Sequence, residues 1–502
     1  MKQSNFDFSK PQRQSLIGVV VLFVNTLQKS VRALWPIILV YLFQNKATTS
    51  LLQIYLGIFG VVFCITLIAF LRYWFFQFYI DYTKKEFVIE NGIFNKTKTS
   101  IPFHKIQKVT IDQSLIQRIF KVYKLELDTA GSDKKEASIK AISSEMALEL
   151  KSSLVQNDLN KTLVEESQYQ EASSPKSSFI TISITSLLKI GITANYLTSF
   201  AYLILVFSTI SENLKQIGRE DVIENNMNQL EKLPISSLLF GVLFFIITAV
   251  LLLNLILTVV KYFNFNIRKD GKSFVLNYGL LNIKNTIISP EKVQIVKWTQ
   301  NFFQKKLNVN TIEIFQASSE MKRANAKDKT KIPGCNWNEK EQIIALLLDK
   351  KPSFEKILYP NIRKLIIGMF FFVLLPVLIG FGINEMAHRF SQNTIIVIIL
   401  LYIFFMGVIL LFSYKNYRLF ISDDFIMKQS GAWDIDHEII EPYKIQAVKT
   451  HQFFWQKRTD IGSVVLYTAG GRISFSTTNY TAIKKEVNVW LYKVETSKRN
   501  WM

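Results

Sequence analysis

The sequence predicts an integral membrane α+β protein with six transmembrane helices in three hairpins, each hairpin followed by a cytoplasmic β-sandwich with a C-terminal capping helix. Three observations support this prediction. Hydrophobic residues make up 49% of the 502 residues, and the mean hydropathy of +0.19 is high for a soluble protein. The net charge is +21, and one phrase recurs three times. A chain that is both apolar and basic is typical of membrane proteins whose aqueous parts face an anionic leaflet.

Membrane spans come first, because a bilayer core of about 30 Å needs about 20 apolar helical residues. Five stretches meet this criterion: Leu51–Leu71, Ile190–Ile210, Ser236–Val260, Leu365–Ile383 and Thr394–Phe412. A sixth, shorter span is predicted over Ala33–Ala47 with a little upstream sequence, and Leu16–Leu27 is predicted to be an amphipathic segment near the interface. The alternative is one long tilted helix from Leu16, which would place Lys29 and Arg32 at a costly depth.

Charge distribution predicts the orientation of these hairpins. The short loops near 45–50, 211–235 and 384–393 hold only 5 of the 60 basic residues. The positive-inside bias therefore places the three long polar stretches in the cytoplasm, and an even number of crossings keeps them on the same side. The protein is expected in the cell (inner) membrane.

Transport is the less favoured use of these spans. Transporters usually carry ionisable groups or broken helices near the midplane. The five clear spans contain no ionisable side chain in their interiors. Pro376 is a common kind of helix-bending residue, and Asn254 is interpreted as a helix-packing residue. Anchoring is favoured over transport.

The repeated phrase begins at Ile101, Ile288 and Ile440. Aligned without gaps on these isoleucines, the copies share a glycine before the phrase, a lysine and two glutamines within it, and an alanine after it. The shared residues are Gly92, Lys105, Gln107, Gln117 and Ala130; Gly279, Lys292, Gln294, Gln304 and Ala317; and Gly431, Lys444, Gln446, Gln456 and Ala469. Fixed spacing over such a length indicates three copies of one tertiary unit.

Within each copy the pattern indicates strands followed by a helix. EFVIENGIF has two apolar runs about Asn91-Gly92, a strong signal for a hairpin turn in which glycine supplies the positive φ. IQKVTID and VYKLELDTA alternate apolar with polar residues, as half-buried strands do. Amphipathic helices then follow capping residues in SSEMALELKSSLVQ, NEKEQIIALLLD and NYTAIKKEVNVWLYKVE.

These residues also carry a family resemblance. The run from YIDYTKKEFVIENG through IPFHKIQ to LDTAG resembles the membrane-flanked bacterial pleckstrin-homology-like (PH-like) domains of the YdbS/YdbT-like family. The second copy departs from the pattern, with Ser289-Pro290 in place of Pro102-Phe103 and QASS in place of TAGS. The resemblance implies a β-sandwich of two nearly orthogonal sheets with a C-terminal helix, tethered to the inner membrane face. It implies no reaction.

The predicted domain boundaries follow from these elements. They are an N-terminal segment and hairpin 1 at 1–72, PH-like domain 1 at 73–156, a polar linker at 157–187, hairpin 2 at 188–261, PH-like domain 2 at 262–350, hairpin 3 at 351–413 and PH-like domain 3 at 414–502.

Two sets of residues are candidates for a site. The shared lysines and glutamines are expected to be structural, with the lysine head in water and the glutamine bonded to backbone. Five basic residues are candidates for contact with anionic lipid: Lys96, Lys98, Arg268, Lys269 and Lys272. Nonspecific attraction of juxtamembrane bases to the membrane, worth about 1 kcal/mol each, would explain these five without a pocket.

No catalytic, metal or cofactor site is predicted. Cys64 and Cys335 are isolated, and His104, His388, His437 and His451 lack metal-ligand spacing. Phosphate-binding and nucleophile motifs are absent from the sequence. The chain is therefore expected not to be an enzyme.

The expected function is a multipass membrane scaffold that presents three cytoplasmic binding modules, within a membrane complex for envelope maintenance or stress tolerance. The alternatives are an accessory subunit of a transport or export system, and a specific binder of anionic lipid headgroups. Expected partners are the bilayer, with anionic headgroups and a related membrane protein or a second copy as candidates. Nucleic acid is not expected, because it would leave the apolar runs unexplained.

Overall fold

The computed structural model of this protein describes residues 6–24, 26–28, 51–93, 95–129, 137–156, 180–194, 196–216, 235–270, 273–316, 329–348, 350–387 and 391–497. The chain divides into two compact units. The N-terminal unit comprises Met1–Asp270 and Phe274–Ile287, and the C-terminal unit comprises Gly271–Ser273 and Ile288–Met502. The boundary falls inside the second repeat, close to the phrase beginning at Ile288.

Each repeat contributes six strands. In the first repeat they are β1 Gln77–Asp81, β2 Glu86–Asn91, β3 Thr97–Pro102, β4 Ile106–Gln113, β5 Val122–Thr129 and β6 Ala137–Ser143. In the second they are β8 Asn266–Asp270, β9 Ser273–Tyr278, β10 Ile283–Ile288, β11 Val293–Gln300, β12 Asn310–Gln316 and β13 Thr330–Cys335. In the third they are β15 Arg418–Ile421, β16 Ile426–Ser430, β17 Ile435–Ile440, β18 Ile445–His451, β19 Ile461–Thr468 and β20 Gly471–Asn479. Two short strands precede later repeats, β7 Ile180–Thr181 and β14 Lys356–Leu358.

The helices alternate with these strands. They are α1 Leu51–Trp74, α2 Leu115–Ile119, α3 Ser144–Gln156, α4 Ile184–Thr193, α5 Tyr196–Gln216, α6 Ile235–Tyr262, α7 Phe302–Lys306, α8 Trp337–Leu347, α9 Arg363–Met369, α10 Leu375–Ala387, α11 Gln392–Lys415 and α12 Tyr480–Thr496. A π-helical turn, Phe370–Leu374, joins α9 to α10.

Two of the sheets contain strands from two successive repeats. Within the described residues, two sheets have three strands, in the orders β1-β2-β3 and β18-β19-β20. The other two have seven strands, in the orders β6-β5-β4-β10-β9-β8-β7 and β13-β12-β11-β17-β16-β15-β14. The last three strands of one repeat therefore pair with the first three of the next, through β4–β10 in the N-terminal unit and β11–β17 in the C-terminal unit.

The first and third repeats each have a sandwich core covered by their C-terminal helix. In the first, Phe87 and Ile101 of one sheet share a cluster with Leu125 of the other and Leu150 of α3. In the third, a corresponding cluster unites Ile426 and Phe475 with Trp490 of α12. Each fully buried apolar side chain of this size contributes about 1.5–3 kcal/mol. The predicted sandwich with a capping helix is confirmed for these two repeats.

The chain on both sides of each membrane segment is tied into one sheet. Gln12 pairs with Phe78, and β7 and β14 pair with β8 and β15. The strand or residue before each helical segment therefore lies beside the strand that follows it. The sequence did not predict these short strands, and β7 begins inside the predicted linker 157–187.

Three helical stretches within the described residues are long and apolar enough to cross a membrane: Phe244–Tyr262, Arg363–Met386 and Gln392–Lys415. They match three of the predicted spans. The span predicted at Leu51–Leu71 is helical within α1, where Val62–Trp74 forms a shorter apolar stretch. The complete set of six spans is not confirmed, and Ala33–Ala47 lies outside the described residues.

The predicted span Ile190–Ile210 is not one straight helix, and as a single span it is not confirmed. Helix α4 ends at Thr193, and the pieces Ile184–Thr193 and Thr198–Thr209 are inclined by 70°. Asn254 of α6 donates its side-chain amide to the carbonyl of Gly191 at 2.5 Å, and also to that of Ala194. These bonds satisfy backbone carbonyls at the break, so Asn254 is a packing residue as the sequence suggested.

The predicted amphipathic segment Leu16–Leu27 overlaps a short apolar helix, Gly18–Gln28. Its Leu22 packs against Ala69 and Tyr73 of α1, whereas the adjacent Val21 packs against Val122 and Ala141 of the first repeat. The segment therefore links helix α1 to the sandwich of the first repeat.

Candidate functional site

A cavity of about 720 Å³ lies in the C-terminal unit, where the second half of repeat two meets repeat three. It is built by the β11–β17 pair together with α7, α8 and the end of membrane helix α11. Its aromatic lining is Trp298, Phe302, Trp337, Phe354, Phe412, Phe420 and Trp433. Its charged lining is Lys305, Lys340, Lys351 and Glu341.

Lys340 is the most unusual group in this cavity. Only 4% of its surface is exposed, and its Nζ lies 3.1 Å from the ring centroid of Trp337 and 5.4 Å from that of Trp298. No carboxylate among the described residues lies within ion-pairing distance of this Nζ. Burial lowers the pKa of Lys340 to about 8, while the nearby Glu341 acts in the opposite direction. A buried cation held by aromatic faces alone is poised to accept an anionic group.

The start of α8 fixes the position of Lys340. Asn336 caps the helix by accepting from the backbone N–H of Glu339 at 2.8 Å, and the Glu339 carboxylate accepts in return from the N–H of Asn336 at 2.8 Å. Lys340 then falls on the buried face with Ile343, Ile344 and Leu347. Helical spacing thus directs a charged residue into the apolar interior.

The junction between the repeats forms one wall of the cavity. Trp298 of β11 stacks on His437 of β17, with ring centroids 4.9 Å apart and planes inclined by 4°. Beside them, Lys297 Nζ lies 2.7 Å from the Asp436 carboxylate, which also accepts from the Thr299 hydroxyl at 2.6 Å. Burial and the proximity of Lys340 lower the pKa of His437 to about 4, against a smaller raising effect of Asp436. His437 is therefore neutral at physiological pH.

Aromatic side chains line the part of the cavity next to membrane helix α11. Phe412 lies in the last turn of α11, and Phe354 packs against Phe420 with ring centroids 5.7 Å apart. Asn416, which ends α11, donates to the carbonyl of Gly431 at 3.2 Å and so links the helix to the β16–β17 turn. One cavity therefore combines cationic and aromatic surfaces, which suits an amphiphile with an anionic head.

The predicted lipid-contact residues lie elsewhere. Lys98, on β3, pairs with Glu90 at 3.1 Å and donates to the Tyr79 hydroxyl at 2.8 Å. Lys96 is exposed just before β3, and Arg268 and Lys269 are exposed on β8, in a different sheet. Lys272 lies outside the described residues. The four described bases do not line the cavity.

The shared glycines and glutamines occupy backbone-controlling positions. Gly92, Gly279 and Gly431 have φ of 118°, 113° and 122°, and a Cβ on Gly431 would lie 1.9 Å from the Asp434 carbonyl oxygen. Gln117 and Gln304 complete capping boxes at the starts of α2 and α7, and Gln456 accepts from the N–H of Phe453 at 3.1 Å.

The first shared glutamine of each copy marks a β-bulge. Register shifts occur between Ile106 and Lys108, between Val293 and Ile295, and between Ile445 and Ala447, which places Gln107, Gln294 and Gln446 at the irregularity. Gln294 is 2% exposed and Gln446 is exposed. Ala130 and Ala317 lie outside the described residues, and Ala469 lies in the turn before β20.

The shared lysines have different environments. Lys105 is exposed, in keeping with a head in water, and Lys292 is half-buried. Lys444 contradicts that expectation, because it is 2% exposed and its Nζ lies 2.6 Å from both the Val293 carbonyl and the Glu441 carboxylate. The reason is that the third repeat follows another repeat, whose backbone covers this lysine.

Sequence reasoning missed Lys340, although the signal was present. A lysine stands on the apolar stripe of NEKEQIIALLLD, where a polar residue is unusual. Metal binding gains no support, since the described residues contain no group of three potential ligands.

Comparison with known proteins agrees with this architecture. The bacterial PH domain family matches the chain over residues 20–157, 230–351 and 370–494. The chain is also similar to the UPF0699 transmembrane protein YdbT of Bacillus subtilis (strain 168), at 25% identity over 320 residues, which cover 62% of this chain and 63% of that protein. Three matched stretches, three six-stranded repeats and apolar membrane helices lead to one conclusion: the chain is a transmembrane protein that belongs to the bacterial PH domain family.

Proposed function

We propose that the protein is a non-enzymatic membrane scaffold whose three PH-like repeats lie in the cytoplasm, and that its cavity binds the anionic head of a membrane amphiphile. The buried Lys340 carries this proposal, because its burial without a carboxylate partner leaves a cation to be compensated. A phospholipid with a net negative head is the occupant that fits both the lysines and the aromatic wall next to α11.

The cytoplasmic orientation is supported by charge. The loops between paired spans hold few basic residues, while the repeats carry most of them. The short strands that flank each membrane segment support return of the chain to the same side.

The experiment measures lipid retained by the full chain in nanodiscs. Native mass spectrometry would compare phosphatidylglycerol with phosphatidylcholine, for the unchanged protein and for Lys340→Met. Methionine keeps most of the volume and removes the charge. Loss of one charge-assisted hydrogen bond of about 1.5–3 kcal/mol predicts about tenfold or greater weakening of phosphatidylglycerol binding.

The matched control is Lys484→Met. Lys484 also lies over an aromatic ring, with its Nζ 4.7 Å from the centroid of Tyr480, but it does not line the cavity. It should leave binding unchanged. Equal loss in both variants, or a phosphatidylglycerol preference that disappears at high salt, would mean nonspecific electrostatic attraction and would contradict the proposal.

Binding should also depend on pH. The pKa of Lys340 is lowered to about 8 by burial, so the free protein loses this charge as the pH rises through 8. Phosphatidylglycerol retention is therefore expected to fall between pH 7 and pH 9 in the unchanged protein and to stay low and flat in Lys340→Met.

A further inference from the structure

Both junctions between repeats use the same strand register. In the C-terminal unit Thr299 of β11 faces Asp436 of β17, and in the N-terminal unit Asp112 of β4 faces Lys284 of β10. The gapless alignment makes Thr299 equivalent to Asp112, and Asp436 equivalent to Lys284. In both junctions the fourth strand of one repeat thus pairs, in the same register, with the third strand of the following repeat.

Further contacts reinforce the junction in the C-terminal unit. Lys444, next to β17, donates to the carbonyl of Val293, which lies at the bulge of β11. Phe303, after β11, meets Trp433 of the β16–β17 turn edge to face, with ring centroids 5.6 Å apart. A strand edge, a lysine and an aromatic pair together define the contact.

The two terminal repeats present the unused halves of this contact. Within the described residues, no strand pairs with the outer edge of β3 or with the outer edge of β18. The burial of equivalent strands shows the difference: β11 is largely buried and β18 is largely exposed. The equivalent of Phe303 is Trp455, and the equivalent of Lys444, which is 2% exposed, is the exposed Lys105.

We infer that copies of this chain associate head to tail, with the β18 edge of one copy pairing antiparallel with the β3 edge of the next. The shared register places Thr450 opposite Lys98 and His451 opposite Thr97. Lys105 of the second copy then reaches the carbonyl of Ile445 at the bulge of β18. The occupant is a second copy because the two free edges are equivalent to the two edges that already pair within the chain.

Charge is compatible with this register. Lysines on an exposed edge often prevent unwanted strand pairing, and β3 and β18 carry Lys98 and Lys449 respectively. In the inferred register these lysines face Thr450 and Thr99, so no two lysines lie directly opposite each other. A contact between two different edges is heterologous, and it generates a ring or an open row of molecules in the membrane.

Cysteine cross-linking between copies tests the inference. Two differently tagged full-length chains would be co-expressed after replacement of the natural cysteines by Cys64→Ser and Cys335→Ala. One chain carries Lys98→Cys and the other carries Thr450→Cys, so a disulfide between these sites requires two molecules. Cα atoms of directly opposed residues lie about 4.5–5.5 Å apart, within the range that a disulfide spans. Mild oxidation in intact membranes should give a dimer carrying both tags.

The register control is Lys98→Cys with Val448→Cys. Val448 is two residues along β18 on the same face, which moves the Cα atoms to about 8 Å, beyond disulfide reach. Equal yields from the two pairs, no dimer from either, or disulfides formed only with a different protein would overturn the inference.

A second comparison examines the lysine contact without altering either strand. Adding Lys105→Met to the chain with Lys98→Cys should lower the yield of the Lys98–Thr450 dimer severalfold. Lys84→Met, an exposed lysine in the β1–β2 turn, should not. Equal yields with the two methionine variants would exclude the Lys105 contact.

Discussion

At the scale of single residues, His437 and Lys340 oppose each other electrostatically in the cavity. Both lose hydration on folding, and the proton on Lys340 disfavours a second positive charge on His437. Asp436 is the acidic group nearby, and it is already engaged by Lys297 and Thr299. Stability should therefore respond to the charge of His437.

The pH dependence has a definite sign. The folded pKa of His437, about 4, lies below its ordinary value of 6.5, so the unfolded chain binds the proton more tightly. The stability contribution is complete above pH 6.5 and is lost as the pH falls toward 4, to an extent of up to about 3 kcal/mol. His437→Phe keeps a ring against Trp298. In this variant the thermal unfolding temperature should change less between pH 6.5 and pH 4.5 than it does in the unchanged protein.

The control for this titration is His451→Phe, which removes a histidine from the exposed β18 and leaves the cavity intact. A slope that stays as steep in His437→Phe as in the control would show that another group controls the acid sensitivity.

At the scale of elements, the membrane helix around Pro376 shows how a sequence irregularity is accommodated. Proline has no N–H, so the carbonyl of Phe372, four residues earlier, lacks its usual helical partner. The π-helical turn Phe370–Leu374 lies immediately before the proline, and the hydroxyl of Tyr402 on α11 donates to the Phe372 carbonyl at 2.8 Å. The bond joins the two arms of the helical hairpin formed by Arg363–Met386 and Gln392–Lys415.

Tyr402→Phe should weaken this hairpin. It leaves a polar group without its partner in an apolar medium, for which about 0.6–1.7 kcal/mol is expected. Reversible unfolding in detergent micelles would measure the loss. The double variant Tyr402→Phe with Pro376→Ala should recover most of it, because alanine restores the backbone donor. Failure of this rescue would show that Tyr402 acts through something other than the Phe372 carbonyl.

Several elements could be predicted because their signals are local. Asn91-Gly92 predicted the β2–β3 hairpin, and the polar capping residues at the starts of NEKEQIIALLLD and NYTAIKKEVNVWLYKVE predicted α8 and α12. The break after Thr193 could not be predicted, because the amide that satisfies its carbonyls comes from Asn254, far along the chain. Strands β7 and β14 could not be predicted, because two or three residues are too few to show the alternation of apolar and polar residues.

At the scale of the whole molecule, the sequence predicted three similar units but did not predict that strands of successive repeats pair in one sheet. An internal repeat shows that Thr299 and Asp112 are equivalent, yet it does not say which strand each will face. That information depends on the three-dimensional position of β10 and β17. The cavity was missed for the same reason, since Trp298 and His437 belong to different repeats.

The proposed orientation has a direct test. Single cysteines at Lys84, Lys306 and Lys457 sample exposed sites in the three repeats, and Glu385→Cys samples the loop end of α10. In sealed right-side-out vesicles, a membrane-impermeant maleimide should label only Glu385→Cys. Inverted vesicles should reverse the pattern, and labelling of any repeat site from outside would contradict the cytoplasmic placement.

Because β4 pairs with β10, this part of the sheet can form only after a delay during synthesis. When the ribosome has completed β4, the strand that will cover it has not been made, and the second membrane segment must emerge first. At ordinary translation speeds the delay is on the order of 10 s. During this interval the edge of β4 that will pair with β10 has no partner strand from the same chain.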